Sequence, residues 1–210
     1  MSTNASPRVL VAGSANLDFV VRAPRVPAPG ETVLGGGLQT FPGGKGANQA
    51  VACARAGGAP TTMLVALGGD AQGARLRESL LGAGVELVEK RVEEAASGIA
   101  FICIATSGEN SIVVAPGAND LLLPDDLPSL AGVSHLLLQL ETPLASVTAW
   151  AERAREAGVK VVLNAAPAQA LPPRLLAAVD VLVVNEVELA KLAGDTSDLE
   201  AALHRLPVPC

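Results

Sequence analysis

The densest group of chemistry-bearing residues is Phe41-Pro42-Gly43-Gly44-Lys45-Gly46-Ala47-Asn48-Gln49, which opens an alanine-rich run with helical spacing. Glycines let a backbone approach its neighbours closely, and a helix start offers unpaired N–H groups and a partial positive charge. Lys45 adds a cation, and Asn48 adds two amide donors and one acceptor. Such a corner suits a small polar ligand rich in hydroxyls or oxyanions, although a glycine-rich turn beside a solvated lysine uses the same letters. Further polar groups follow other apolar runs. Asn16 and Asp18 come after the first, Glu141 after Leu136–Gln139, Asn164 after Val159–Leu163, and Asn185, Glu186 and Glu188 after Val181–Val184. Ligands of open α/β sheets gather beyond the carboxyl ends of the strands, so these elements would aim polar groups at one rim. Each residue alone reads equally as a helix cap or turn former. Caps, however, do not call for a carboxylate at so many strand ends.

The common nucleotide and nucleophile motifs are missing. A P-loop requires glycine where Gln39 stands and Ser or Thr where Gly46 follows Lys45. The first turn, Gly13-Ser14-Ala15-Asn16, is not G-x-G-x-x-G. His135 and His204 are isolated, which speaks against a Ser-His triad or a zinc site.

The elements that must hold these residues follow from periodicity and punctuation. Buried strands are expected at Arg8–Gly13 and Thr61–Leu67, and more exposed ones at Phe19–Arg22 and Thr32–Thr40. Gly46–Ala56 predicts a helix stopped by Gly57-Gly58, and Ala71–Leu81 another ended near Gly82, followed by a strand at Val85–Arg91. A hairpin is expected from Gly98–Ala105 and Asn110–Ala115 around Ser107-Gly108-Glu109. Then strands at His135–Gln139, Val159–Leu163 and Val181–Val184 alternate with helices. One is capped at Thr142-Pro143 and runs to Gly158, and others lie at Pro172–Ala178 and Val187–Ala193. A last one is announced by Ser197-Asp198-Leu199-Glu200, which resembles a capping box. Alternation of this kind implies a parallel sheet covered on both faces. The strands within 19–40 and 98–115 do not fit it and are read as a small separate sheet, a lid.

Composition narrows the partners. The chain has 210 residues, half of them hydrophobic, with 15 Lys+Arg against 21 Asp+Glu and a formal charge of -6. An acidic surface with 2% aromatic residues argues against nucleic acid. The opening residues Met1–Pro7 hold no apolar signal core, and no apolar run approaches the ~18 residues of a membrane span. Cys53, Cys103 and Cys210 are odd in number and lack metal-type spacing. A cytoplasmic protein without membrane attachment is the expectation, which leaves the Asn4-Ala5-Ser6 glycosylation triplet without meaning.

Several blocks together resemble the ribokinase-like carbohydrate kinases. They are Gly13-Ser14-Ala15-Asn16-Leu17-Asp18, Pro29-Gly30-Glu31-Thr32, and Gly43 through Ala52. Gly117-Ala118-Asn119, Gln139 through Leu144, Asn164 through Ala168, and Asn185-Glu186-Val187-Glu188 follow in the same order. The resemblance covers essentially the whole chain. It implies a three-layer α/β/α Rossmann-like parallel sheet with a β-sheet lid, one incomplete kinase domain over residues 1–210, and ATP-dependent phosphorylation of D-ribose to D-ribose 5-phosphate. It also implies that Asp18 accepts from two sugar hydroxyls, while Asn16, Leu17, Gly44, Lys45, Gly46, Ala47 and Asn48 hold the rest of the ring. Glu141 would take another hydroxyl and Ile99 would make an apolar lid contact. Asn185 would reach the nucleotide phosphates, Glu188 would help place Mg²⁺ through water, and lid sheets would pair across a homodimer. Kinases of this kind also use a monovalent cation, K⁺.

The resemblance further implies a Gly-Ala-Gly-Asp turn that supplies the catalytic base and an anion hole. Here only Gly82-Ala83-Gly84-Val85 comes near it, without the carboxylate and in the position of a helix stop. The expectation is therefore that the C-terminal third lies outside this chain, with the base, most of the adenine pocket and the cation site. A sugar-binding fragment without turnover, or a kinase of another sugar or a nucleoside, are the alternatives.

Overall fold

The computed structural model describes residues 8–56, 58–194 and 197–208. The expected helix stop at Gly57, the Asn4-Ala5-Ser6 triplet and Cys210 lie outside the described residues.

Two sheets are built from β1 (Arg8–Ala12), β2 (Asn16–Ala23), β3 (Gln39–Gly43), β4 (Thr61–Gly68), β5 (Glu86–Val92), β6 (Gly98–Ala105), β7 (Asn110–Ala115), β8 (Val133–Leu138), β9 (Lys160–Asn164) and β10 (Val181–Val183). The helices are α1 (Lys45–Ala56), α2 (Ala71–Gly82), α3 (Leu144–Glu156), α4 (Pro173–Ala178), α5 (Glu186–Ala193) and α6 (Leu199–His204). The larger sheet is parallel throughout, in the order β10-β9-β8-β1-β4-β5. Its central strands β1 and β4 are largely apolar on both faces because both faces are covered, whereas the edge strand β5 is rich in charge. On one side Val11, Met63, Val65 and Leu67 pack with Ala47 and Ala50 of α1 and Leu76 and Leu80 of α2. On the other, Leu10, Leu64, Leu136, Leu138, Val161 and Leu163 pack with Val147 and Trp150 of α3 and Leu175 of α4. Trp150 is fully buried and gives its indole N–H to the carbonyl of Pro124 at 3.1 Å. The three-layer expectation is met.

The lid is the second sheet, ordered β3-β2-β6-β7. β2 runs parallel to β6, whereas β2–β3 and β6–β7 are antiparallel. Both sheets are rooted at one place: β1 ends at Ala12 and β2 begins at Asn16, and only Gly44 separates the end of β3 from α1 in the main layer.

Three local expectations are corrected, and one stretch gains elements that were not expected. The strand expected at Thr32–Thr40 pairs only from Gln39, and Leu34 stands 89% exposed. Gly35-Gly36-Gly37 gives a strand nothing to bury and raises the entropy lost on ordering. Thr142 does not cap α3: Pro143 is the N-cap residue, without a side-chain bond, and the Thr142 hydroxyl is buried and unpartnered. The cap of α6 is Asp198, which accepts from Ala201 N–H at 3.0 Å, and not Ser197. Finally, two 3₁₀ turns, Gly117–Leu121 and Pro124–Asp126, occupy a stretch with no periodicity to announce them.

Candidate functional site

Where the lid joins the carboxyl edge of the main sheet, a cavity of about 240 Å³ is lined by Asn16, Asp18, Gly44, Lys45, Asn48 and Glu141, with Ala100, Ile102, Ile112 and Val114 of the lid above them. Asp18, Lys45 and Glu141 thus face one space. The cavity is polar at its floor and apolar at its roof, as expected for a site that grips hydroxyls and excludes water.

Strand alternation decides which lid residues take part. Asn16 and Asp18 share a face of β2 with their register partners Gly98 and Ala100 on β6, and Ile102 and Ile112 continue that face. Leu17 is paired with Ile99 and so looks to the opposite side. The apolar contacts are accordingly Ala100, Ile102, Ile112 and Val114, and neither Ile99 nor Leu17 lines the cavity. Gly43 makes room for the acid, since a Cβ there would stand 2.2 Å from Asp18 Oδ2. Gly44 has φ +92°, and a Cβ on it would meet Asn16 N at 2.7 Å.

The start of α1 corrects another expectation. Its N–H groups are not left for a ligand. Lys45 N–H donates to Glu141 Oε2 at 3.0 Å, Gly46 N–H to Ser14 Oγ at 3.3 Å, and Ala47 N–H to the carbonyl of Ser14 at 2.8 Å. Ser14 Oγ–H in turn donates to Glu141 Oε2 at 2.6 Å. Gly46 and Ala47 are therefore buried seam residues that fasten α1 to β1, and neither lines the cavity. Glu141 is 12% exposed and its Oε1 lies 3.7 Å from Lys45 Nζ. A carboxylate at a helix N-terminus beside a cation is well stabilised, so Glu141 holds the corner together as well as facing the cavity.

Asp18 has no such support. Burial pushes its pKa above the ordinary carboxylate value, the Glu141 charge pushes the same way, and Lys45 opposes both. A carboxylate short of donors is an acceptor waiting for hydroxyls. Asn16 is oriented from behind: Asn119 Nδ2 donates to Asn16 Oδ1 at 2.8 Å. Ser14 and Asn119 are the structural members of the site that residue reading missed. Both stood in motif blocks, but only their bonds reveal what they do.

A second space of about 470 Å³ adjoins the first through Lys45, Glu141, Ile112 and Val114, and reaches Thr142, Leu144 and Gln169. Asn164 ends β9, and it lines neither cavity. Asn185 and Glu188 sit at the start of α5 and bond to each other. Glu188 N–H donates to Asn185 Oδ1 at 2.8 Å, while Asn185 N–H and Nδ2 donate to Glu188 Oε2 at 2.9 Å and Oε1 at 3.1 Å. Each Glu188 oxygen still has a free lone pair. That donor set fits one water-mediated contact to a cation brought by phosphates, not a protein cage. Among the described residues no group of three or more His, Cys, Asp or Glu could hold a metal ion. None of their helices is long and apolar enough to cross a membrane.

Comparison with known proteins places the chain in a family and agrees with its fold. Residues 6–208 match the model of the pfkB family carbohydrate kinases. The chain is 41% identical over 204 residues to a ribokinase of Haemophilus influenzae, covering 94% of this chain and 66% of that one. It is 37% identical to the ribokinase of Arabidopsis thaliana, with 98% and 56% covered. Among solved structures, Arabidopsis thaliana ribokinase complexed with ribose and ATP superposes with a TM-score of 0.84 at 35% identity, covering 97% of this chain and 70% of that one. Thermotoga maritima ribokinase gives 0.85 at 31%, covering 95% and 68%. The chain spans two thirds or less of the length of the two curated relatives named.

Proposed function

We propose, from the premise that this chain belongs to the pfkB family of carbohydrate kinases, that its cavity is the sugar site of an ATP-dependent D-ribose kinase that forms D-ribose 5-phosphate. The observation that carries this reading is the convergence of Asn16, Asp18, Lys45, Asn48 and Glu141 on one small space under an apolar lid. Asp18 accepts from two adjacent hydroxyls, which replace the donors it lacks. The Asn16 and Asn48 amides and the Lys45 ammonium donate to ring and hydroxyl oxygens. Ala100, Ile102, Ile112 and Val114 cover the carbon face and keep out water that would compete for the phosphoryl group.

Asn185 and Glu188 are assigned to the phosphate end, where Mg²⁺ carried by ATP would neutralise the phosphoryl charge. The complex of Arabidopsis thaliana ribokinase with ribose and ATP supports this pair of ligands. No residue of this chain is assigned to a monovalent cation. Both sheets act as one kinase unit in this reading, in the cytoplasm, and the outer face of the lid pairs with that of a second copy. That face carries Phe101 and Val113, 54% and 65% exposed, beside a groove of about 430 Å³.

A second reading, sugar binding without turnover, is favoured by one feature: among the described residues, the carboxylates lining the sugar cavity are Asp18 and Glu141. Asp18 is engaged in binding and Glu141 in fastening α1, which leaves no third to take the hydroxyl proton. Isothermal titration with ribose tests the site common to both readings, and no heat from a folded chain rejects it. Ribose-dependent ADP release in a coupled assay then separates them, since turnover excludes the binding-only reading. Competition by other pentoses and by nucleosides tests the choice of sugar.

A further inference from the structure

Asn119 is a buried amide to which the sugar reading gives no contact with substrate. It lies in the 3₁₀ turn Gly117–Leu121, just after lid strand β7, and is 1% exposed. Its Oδ1 accepts from Ala15 N–H at 3.0 Å. Its Nδ2 donates to Asn16 Oδ1 at 2.8 Å and to the Pro116 carbonyl at 2.9 Å, with the Ala15 carbonyl more distant at 3.3 Å. Space for this contact comes from Gly98, where a Cβ would stand 2.2 Å from both Asn119 Nδ2 and Asn16 Oδ1.

An asparagine can present either its carbonyl or its NH₂ to a ligand, and the two ends select opposite partners. Asn119 cannot turn over, because one end is matched to a backbone donor and the other to a backbone acceptor. Asn16 must then meet it with Oδ1. Asn16 lines the sugar cavity, so the end it has left to offer there is its NH₂.

We propose that Asn119 is a positioning residue that sets the hydrogen-bonding polarity of the sugar site, holding the Asn16 amide so that it donates to one substrate hydroxyl. Specificity at that hydroxyl is thus controlled by a residue that does not touch the sugar. The inference rests on the sugar reading of the cavity, and its tests are separable from it.

Affinities for D-ribose and its 2-, 3- and 5-deoxy analogues are measured for the unaltered chain, Asn16→Ala, Asn119→Ala and the double variant. Asn16→Ala identifies the hydroxyl that Asn16 reads, because removing that hydroxyl then costs no further affinity. Asn119→Ala is expected to weaken ribose binding about tenfold, the scale of one lost hydrogen bond, and to erase discrimination at that same hydroxyl alone. The double variant should bind like Asn16→Ala. Additive losses, or a uniform loss over all four sugars, overturn the proposal. Asn119→Asp keeps the acceptor for Ala15 N–H and removes the donor to Asn16, and should reproduce the selective loss.

Side-chain amide exchange followed by NMR on the unaltered chain needs neither a variant nor a bound sugar. Asn119 Nδ2 protons should be protected in the free chain and those of Asn16 should exchange faster. The reverse order overturns the proposal even if the variants do not fold. If the unaltered chain binds no sugar, the sugar reading fails, while the exchange order still reports on the Asn119–Asn16 contact.

Discussion

At the residue scale, two aspartates respond to pH in opposite directions. Asp18 has a raised pKa, chiefly from burial and then from Glu141. Between its unfolded and folded values the folded chain holds the extra proton, so its contribution favours folding at acid pH and is lost as the pH rises through that window. Ligand binding runs the other way, because only the carboxylate accepts from two hydroxyls. Titration calorimetry should show ribose affinity falling as the pH drops through the raised Asp18 value. Asp18→Ala should lower affinity at least about 100-fold, the scale of two charge-assisted hydrogen bonds. Its urea midpoint at neutral pH should be no lower than that of the unaltered chain, since a poorly solvated charge is removed. A large loss of stability would instead make Asp18 a structural residue.

Asp70 is the opposite case. Burial would raise its pKa, but bonds from Gly73 N–H, Ser97 Oγ–H and Ser97 N–H at 2.7 to 2.8 Å hold it below the ordinary value. Its stabilisation is present above the unfolded value and disappears as the pH falls through the folded one. Asp70→Asn keeps an acceptor for Gly73 N–H but sets an NH₂ against Ser97 N–H, so it should cost stability at pH 7, about 1–3 kcal/mol as for one buried donor left unmatched, and less in acid. Denaturant unfolding at both pH values checks the sign.

At the scale of elements, α1 is placed by close backbone contact. A Cβ on Gly46 would stand 2.7 Å from Ser14 N and 2.8 Å from both Gly13 C and Ser14 O. Gly46→Ala must push α1 away from β1, at about 1–3 kcal/mol by analogy with overpacked cores, and it should weaken sugar binding because Lys45 and Asn48 move with the helix. Urea midpoints and titration on the same preparation test both effects; an unchanged midpoint would show that the seam is soft. The helix itself was legible from its alanine-rich run and glycine punctuation. The destination of its first N–H groups was not, because their partners, Ser14 and Glu141, lie 32 and 96 residues away. The lid strand before α1 shows the complementary error. Residues 32–40 carry apolar letters, yet pairing starts only at Gln39, because register and partners, not local composition, decide where a ladder begins.

For the whole molecule, the outer lid face is the surface to test. Phe19 and Phe101 stack on it with ring centroids 5.6 Å apart, and Val113 is the register partner of Phe101. An exposed apolar sheet face rimmed by unpaired edges favours association. Val113→Lys should shift sedimentation towards the monomer without changing the far-ultraviolet spectrum. An unaltered chain that already sediments as a monomer would remove the pairing from the proposed function.

What the linear order of residues determined by itself was the alternation of strands and helices, the lid as an exception to it, and the list of polar residues at strand ends. These depend on periodicity and on glycine and proline chemistry, which act within a few residues. The tertiary structure decided which of the candidates share a space. Pleat alternation put Ala100 and Ile102 over the cavity in place of Ile99, the bonds of Glu141 and Ser14 consumed the α1 N–H groups, and Asn119 oriented Asn16 across 103 residues. Each of those outcomes is a contact between segments distant in the chain, and a contact of that kind exists only once the sheets have formed.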